Sequence, residues 1–150
     1  MQQSNITSME SHHVPQVAEL ERQCFSLPWT EEILQHELEN SLSLWLVALD
    51  GERVVGYIGS QSVLDEADMM NLAVACDHRR QGIGEALLGA LEQRLAENGI
   101  AQLSLEVRPS NMAAVTLYES HGYQVVGRRP RYYSRPVEDA LILRKGLNGR

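Results

Sequence analysis

A short glycine-containing segment in the middle of the chain has the residue types of an anion-binding turn. Arg79-Arg80-Gln81-Gly82-Ile83-Gly84 lies between an apolar run and a helical pattern. At such a junction the free N–H groups of the first helical turn and the helix dipole attract a phosphate, and glycines allow close approach to the backbone. The spacing by itself is equally consistent with a tight strand-to-helix connection flanked by solvated arginines.

The same segment does not match two common nucleotide-binding motifs. A Rossmann fingerprint requires a glycine or alanine three residues after its second glycine, and position 87 is Leu. The Gly-Lys-Ser/Thr of a P-loop is also missing. A pyrophosphate-bearing ligand that is neither a dinucleotide nor a nucleoside triphosphate fits the turn better.

Two side chains further along could move protons. Glu106 lies in Gln102–Arg108, where alternation places it opposite the apolar face of the predicted strand. Tyr118 lies in the helical stretch that follows, and a phenol with a pKa of about 10 could protonate a thiolate. The pattern alone favours Glu106 as an ordinary polar strand residue paired with Arg108, and Tyr118 as a core residue.

The motifs together resemble those of a known family. Arg79-x-x-Gly82-x-Gly84, preceded by Met70-Asn71-Leu72-Ala73-Val74, resembles the acetyl-CoA signature of the GCN5-related N-acetyltransferases (GNAT). Six further matches narrow the resemblance to the bacterial RimI-type enzymes: Pro28-Trp29-Thr30-Glu31, Asp65-Glu66-Ala67, Leu105-Glu106-Val107-Arg108 with Asn111, Leu117-Tyr118-Glu119-Ser120-x-Gly122-Tyr123, Arg129 with Tyr132-Tyr133, and Glu138-Asp139-Ala140. The resemblance spans Pro28 to Leu143, nearly the whole chain.

This resemblance implies direct transfer of an acetyl group from acetyl-CoA to the N-terminal α-amine of alanine in a small-subunit ribosomal protein. It assigns Glu106 as the general base and Tyr118 as the acid that protonates the departing CoA thiolate, with Tyr132 and Tyr133 bordering the acceptor pocket. The implied acetyl-CoA-binding residues are Leu72, Ala73, Val74, Arg80, Gln81, Gly82, Ile83, Gly84, Glu85 and Asn111. A lysine side chain or small amine as acceptor, or a non-catalytic acyl-CoA-binding module, remains an alternative.

Composition and charge favour some classes of protein over others. The 150 residues, 43% of them apolar, predict a single domain covering 1–150. A net charge of −7 argues against nucleic acid as a direct partner. Basic residues alternate with tyrosines in Arg128–Arg135, a pattern also found in RNA-binding segments, but we interpret this segment as a solvated loop.

Cysteine usage and hydropathy predict a reducing compartment without a membrane. Cys24 and Cys76 have no C-x-x-C spacing and no neighbouring base, which argues against a disulfide scaffold, a metal site or a thiol nucleophile. The polar segment Met1–His13 does not match a secretory signal, and Leu44–Leu49 is too short to span a bilayer. We expect a cytoplasmic protein that is a monomer or weak dimer.

The elements that must position these residues follow from hydrophobic periodicity. Helices are predicted over Val14–Phe25, Thr30–Glu39, Glu85–Asn98 and from an N-cap at Ser110 to His121-Gly122; strands over Leu44–Leu49, Arg53–Val63, Ala67–Cys76, Gln102–Arg108, Tyr123–Arg128 and Ala140–Arg144; and an irregular segment over Arg129–Asp139. This order predicts an α/β (α+β) architecture with a mixed sheet covered by helices. The resemblance further implies the GNAT fold, with six to seven mostly antiparallel strands, a V between two central strands and about four helices.

Overall fold

The computed structural model describes residues 5–134 and 136–147. Its elements in chain order are β1 (Asn5–Ser8), α1 (Val14–Cys24), α2 (Glu31–Glu39), β2 (Ser43–Asp50), β3 (Arg53–Val63), β4 (Glu66–Val74), α3 (Ile83–Glu97), β5 (Gln102–Val107), α4 (Met112–Ser120), β6 (Gln124–Tyr133) and β7 (Glu138–Gly146), with 3-10 turns at Ser11–His13 and Cys76–His78. The strands form one sheet in the order β1-β2-β3-β4-β5-β7-β6. The predicted fold class is confirmed.

The two central strands β4 and β5 run parallel and separate after a short contact. Three rungs join them, Glu66↔Gln102, Ala67↔Leu103 and Asp68↔Ser104. Beyond those rungs β4 continues to Val74 and β5 to Val107, so the strand ends spread into the expected V. The other strand pairs of the described chain are antiparallel.

The two faces of the sheet carry different helices. On one face the Tyr57 hydroxyl donates to Glu21 of α1, and Gln61 Nε2 donates to Glu37 Oε1 of α2 at 2.9 Å. On the opposite face a Cβ added to Gly56 would lie 3.1 Å from Leu87 Cδ1 of α3. We therefore refer to the α1/α2 face and the α3 face.

The helix that follows the glycine turn anchors the core. Its buried residues are Ile83, Leu87, Leu88, Leu91 and Leu95. Since fully burying a leucine contributes about 1.5–3 kcal/mol, this stripe holds α3, and therefore the turn before it, firmly against the sheet. A close approach elsewhere explains one glycine: a Cβ at Gly59 would lie 2.4 Å from the ring of Trp45.

Several predicted boundaries are wrong. The short strand β1 was not predicted, and β4 ends at Val74 because Cys76–His78 forms a 3-10 turn. The segment predicted to be irregular from Arg129 to Asp139 instead continues β6 to Tyr133 and begins β7 at Glu138. The N-cap of α4 is not Ser110.

The α4 cap shows why local sequence misplaced it. The Asn111 side chain accepts a hydrogen bond from Ala114 N at 3.2 Å and so caps the helix. Ser110 instead donates its hydroxyl hydrogen to Glu138 Oε1 at 2.8 Å. A tertiary carboxylate therefore draws Ser110 away from the cap.

In the described part of the chain no helix is long and apolar enough to cross a membrane.

Candidate active site

The glycine turn before α3 presents its backbone N–H groups outward. Gly82 is the N-cap in the left-handed conformation (φ +81°), and Arg80 also has positive φ (+64°). The first main-chain bond across the turn runs from Ala86 N to Gly82 O at 3.0 Å, which leaves the preceding amides of the turn without helical acceptors. A Cβ at Gly82 would meet nothing within 4 Å, and one at Gly84 would meet only Val74 Cγ2 at 3.8 Å. The surface over the turn is therefore open to an anion.

The edge of β4 beyond the V offers unpaired backbone groups. Leu72, Ala73 and Val74 pair with β3 on one side, whereas the three rungs to β5 end at Asp68. The side facing β5 can therefore add an extended ligand through backbone hydrogen bonds. One of these groups has a partner already, since Arg79 Nε donates to the Val74 carbonyl at 3.2 Å.

The remaining predicted donor-site residues have mixed environments. The Ile83 side chain is buried in the core, so this residue offers its amide alone. Glu85 Oε2 lies 3.0 Å from His121 Nε2, which joins the start of α3 to the end of α4. Gln81 is exposed beside Gly82. Asn111 Oδ1 is occupied by its cap, which leaves the Nδ2 group to meet a ligand.

Glu106 lies on the α1/α2 face, inside the V. Glu106 and Ser104 are two residues apart on β5, so their side chains point to the same face of the sheet. Ser104 pairs with Asp68 of β4, and Asp68 pairs with Gln61, which lies on the α1/α2 face. Arg129 Nε of β6 forms an ion pair with Glu106 Oε2. Oε2 is buried and receives no aligned hydrogen bond, because the guanidinium lies against it without the required geometry. The partner expected from sequence, Arg108, pairs with Glu138 instead.

Tyrosines of β6 complete this side of the cleft. Burial and the charge of Glu106 raise the pKa of Tyr132. Burial, followed by the charge of Tyr132, raises the pKa of Tyr133 to about 12. The two rings meet edge to face at 5.0 Å. Tyr132 is therefore near enough to the candidate base for the charge of Glu106 to act on it.

Arg108 holds the residues that follow these tyrosines at the end of β6. Its guanidinium donates to Ser134 O at 3.0 Å and to Pro136 O at 2.9 Å, and it stacks 4.4 Å from the Tyr133 ring centre. Glu138 accepts from Arg108 at 3.3 Å. The segment interpreted as a solvated loop is thus, in its described part, tied to the end of β5.

Tyr118 differs from the other buried tyrosines in its hydroxyl. Tyr57 and Tyr123 have pKa values raised by burial and then by hydrogen bonds to Glu21 and Glu92 respectively. The Tyr118 pKa is raised to about 12 by burial alone. Its hydroxyl is therefore a weaker acid than sequence suggested, but it stays protonated at neutral pH and has no carboxylate partner. It can donate to a group from outside the chain.

The candidate base and acid approach the V from opposite faces. Tyr118 packs on Tyr123 with ring centres 5.8 Å apart, and the Tyr123 hydroxyl donates to Glu92 of α3 at 2.7 Å. Tyr118 therefore belongs to the α3 face, whereas Glu106 belongs to the α1/α2 face. A substrate can therefore contact both Glu106 and Tyr118 only within the gap between β4 and β5.

Sequence reasoning missed two acidic residues near the cleft. Glu21 is fully buried on α1, four residues after Val17 in the apolar stripe, a signal that could have marked it. Asp68 lies at the last rung of β4 and interacts with the charge of Glu106; nothing local distinguishes it from a polar strand residue. Among the described residues, no group of three or more His, Cys, Asp or Glu side chains could hold a metal ion.

Known proteins share this sequence and fold. The model of the Acetyltransferase (GNAT) family matches residues 14–123. A "[Ribosomal protein bS18]-alanine N-acetyltransferase" of Escherichia coli (strain K12) is 37% identical over 143 residues, covering 93% of this chain and 95% of the relative. That of Haemophilus influenzae is 36% identical over 144 residues, covering 93% and 97%. The crystal structure of the ribosomal-protein-S18-alanine N-acetyltransferase from Escherichia coli has a TM-score of 0.89 at 34% identity, covering 98% of this chain and 96% of that one.

Proposed function

The chain belongs to the Acetyltransferase (GNAT) family, and from this premise we propose that it transfers the acetyl group of acetyl-CoA to the N-terminal α-amine of a ribosomal protein that begins with alanine. The relatives described above carry that activity in their names and align along more than nine-tenths of this chain. The observation that carries the proposal is the V between β4 and β5, with a free strand edge on one side and Glu106 on the other.

The residues present fit acetyl-CoA. Acetyl-CoA supplies an acetyl thioester, together with two amides along its pantetheine arm and a diphosphate. The free edge of Leu72, Ala73 and Val74 suits the amides, and the amides from Arg80 to Glu85 suit the diphosphate. Arg80 and Gly82 both have positive φ, a conformation found in turns whose backbone N–H groups bind anions.

Glu106 accepts the proton that the acceptor amine must lose. A free α-ammonium has a pKa of about 7.7–8.0, so a carboxylate acting directly or through one water can remove its proton near neutral pH. The buried Oε2, which receives no aligned hydrogen bond, supports this role because it retains capacity for a new donor. The amine must displace or share the Arg129 guanidinium to reach it.

Tyr118 protonates the sulfur as the C–S bond breaks. The amine lone pair forms the new C–N bond, backbone N–H groups at the V polarise the carbonyl, and the phenol proton passes to the thiolate. The burial-raised pKa keeps that proton in place until the thiolate charge appears. As the amide forms, its nitrogen gives up a second proton to bulk water, from which the Tyr118 phenolate regains one. Glu106 then releases the proton that it took from the ammonium, so the net reaction releases one proton.

The surface charge supports a basic acceptor protein. The chain has a formal net charge of −7, and complementary charge speeds encounter and favours partners of opposite sign. Ribosomal proteins bind RNA and are basic for that reason. Charge alone does not select alanine, so recognition of the first residue is assigned to the pocket bordered by Tyr132 and Tyr133.

Mass spectrometry of acetylated N-termini tests this proposal. The purified chain is incubated with acetyl-CoA and a ribosomal extract, and we expect one alanine N-terminus of a small-subunit protein to gain the mass of an acetyl group in place of one hydrogen. Peptides beginning with alanine are compared with free amines and with N-blocked lysine peptides. Acetylation confined to lysine peptides or free amines would contradict the proposal.

A further inference from the structure

The floor of the V on the α1/α2 face carries a second carboxylate that the proposed mechanism does not use. Asp68 is the last β4 residue paired with β5, opposite Ser104. Glu106 follows Ser104 by two residues, so both carboxylates project from the same face of adjacent strands. In a regular sheet, strand spacing and rise would put their backbones about 8 Å apart, and here the strands diverge. The two carboxylates are close enough for the charge of Glu106 to act on Asp68.

Asp68 is accessible and has a surplus of negative charge around it. The residue is exposed in the cleft. Burial, then the charges of Glu106 and Glu66, raises the pKa of the Asp68 carboxyl, and the smaller opposing effects of the Arg129 and Arg144 charges do not offset them. Arg144 is engaged elsewhere, since its Nε donates to Ser104 Oγ at 3.0 Å. An incoming cation would relieve this repulsion.

The current partner of Glu106 occupies the same region. Arg129 extends from β6 to Glu106, with more than half of its side chain exposed. A half-exposed ion pair is worth no more than about 1 kcal/mol, so an acceptor ammonium can displace this guanidinium at small cost. Arg129 reaches Glu106 from the β6 side of the sheet, and its charge also acts on Asp68.

We infer that Asp68 binds the ammonium group of the acceptor beside Glu106, and so makes the cleft select a positively charged amine. The inference rests on the proposed function, because it takes the acceptor to be an N-terminal α-amine. Asp68 holds the ammonium in its charged form on arrival, and Glu106 then removes one proton. Asp68 is thus a binding and specificity residue, while the proton transfer belongs to Glu106.

Asp68→Asn, which keeps the side-chain shape and removes the charge, tests the assignment. The KM for a peptide beginning with alanine should rise about tenfold, equivalent to about 1.4 kcal/mol, with kcat changed less than about twofold and the KM for acetyl-CoA unchanged. Asp65→Asn is the matched control, because it makes the same chemical change at an exposed carboxylate just before β4, and the charge of Asp65 is not among those that shift the pKa of Asp68. Asp68→Glu should restore part of the loss.

A ligand-side comparison separates charge recognition from general damage. Calorimetry in the presence of CoA measures binding of the alanine peptide and of a desamino peptide in which propionyl replaces alanine. Asp68→Asn should weaken the first about tenfold and leave the second unchanged; equal loss for both peptides, or no loss for either, overturns the assignment. Failure of the unsubstituted chain to acetylate the alanine peptide instead overturns the proposed function, so the two failures are distinguishable.

Discussion

Two glutamates on the α1/α2 face of the sheet have opposite environments. Glu21 is fully buried and accepts hydrogen bonds from Trp29 N at 2.8 Å, from Asn71 Nδ2 at 2.7 Å and from the Tyr57 hydroxyl. Glu106 is partly exposed, and its Oε2 receives no aligned hydrogen bond. The more deeply buried carboxylate is therefore the better satisfied of the two.

This difference separates a structural carboxylate from the proposed general base. Through its three donors Glu21 joins α1, the segment before α2 and the central strands, which fixes the wall of the cleft. Since Glu21 is fully buried and three donors hold its oxygens, a substrate amine does not reach it. Glu106 has a free acceptor position and one replaceable cation, the condition a general base needs. Burial alone would have selected the wrong residue.

Replacing the proposed general base should give the largest effect on turnover. Glu106→Gln is expected to lower kcat by about a thousandfold, which corresponds to about 4 kcal/mol of transition-state stabilisation. Thermal unfolding should barely change, because the lost ion pair with Arg129 is solvent-screened. Steady-state kinetics and a melting curve check both parts. Glu119→Gln, which removes an exposed charge on α4, is the control for net charge. If Glu106→Gln keeps a kcat within threefold of the parent, Glu106 is not the general base.

Replacing the structural carboxylate should move stability more than the chemical step. Glu21→Gln presents an amide N–H₂ to groups that are themselves donors, at an expected cost of about 3 kcal/mol in the free energy of unfolding. Urea denaturation measures this loss. Adding Tyr57→Phe removes one facing donor and should recover part of it. If the single variant is as stable as the parent, the three-donor interpretation of Glu21 fails.

The buried tyrosines extend the same comparison to hydroxyl groups. Tyr118→Phe should lower kcat by about a hundredfold with acetyl-CoA affinity and melting temperature nearly unchanged, because its hydroxyl has no carboxylate partner. Tyr123→Phe, its matched control, breaks the 2.7 Å bond to Glu92 and should lower stability by about 1–2 kcal/mol. Turnover assays and melting curves distinguish the two variants. The opposite pattern would exchange the roles of the two tyrosines.

Local sequence patterns predicted most helices and strands, because the spacing of apolar residues depends on the backbone conformation of the same segment. The Leu87, Leu88, Leu91 and Leu95 stripe predicted α3, and all four side chains are buried. Errors arose where a distant partner decided the outcome. Glu138 bonds Ser110 and Arg108, which moves the α4 cap to Asn111 and extends strand pairing into the segment expected to be irregular.

The sequence by itself determined the glycine turn, the position of Glu106 on a polar strand face and the family to which these motifs belong. Each depends on spacing within one element, and chain geometry converts spacing directly into direction. The tertiary structure alone decided that Arg129 contacts Glu106, that Asp68 shares its cleft, and that Glu21 is saturated by donors. Those contacts join residues far apart in the chain, and their partners are set by how strands pair and diverge.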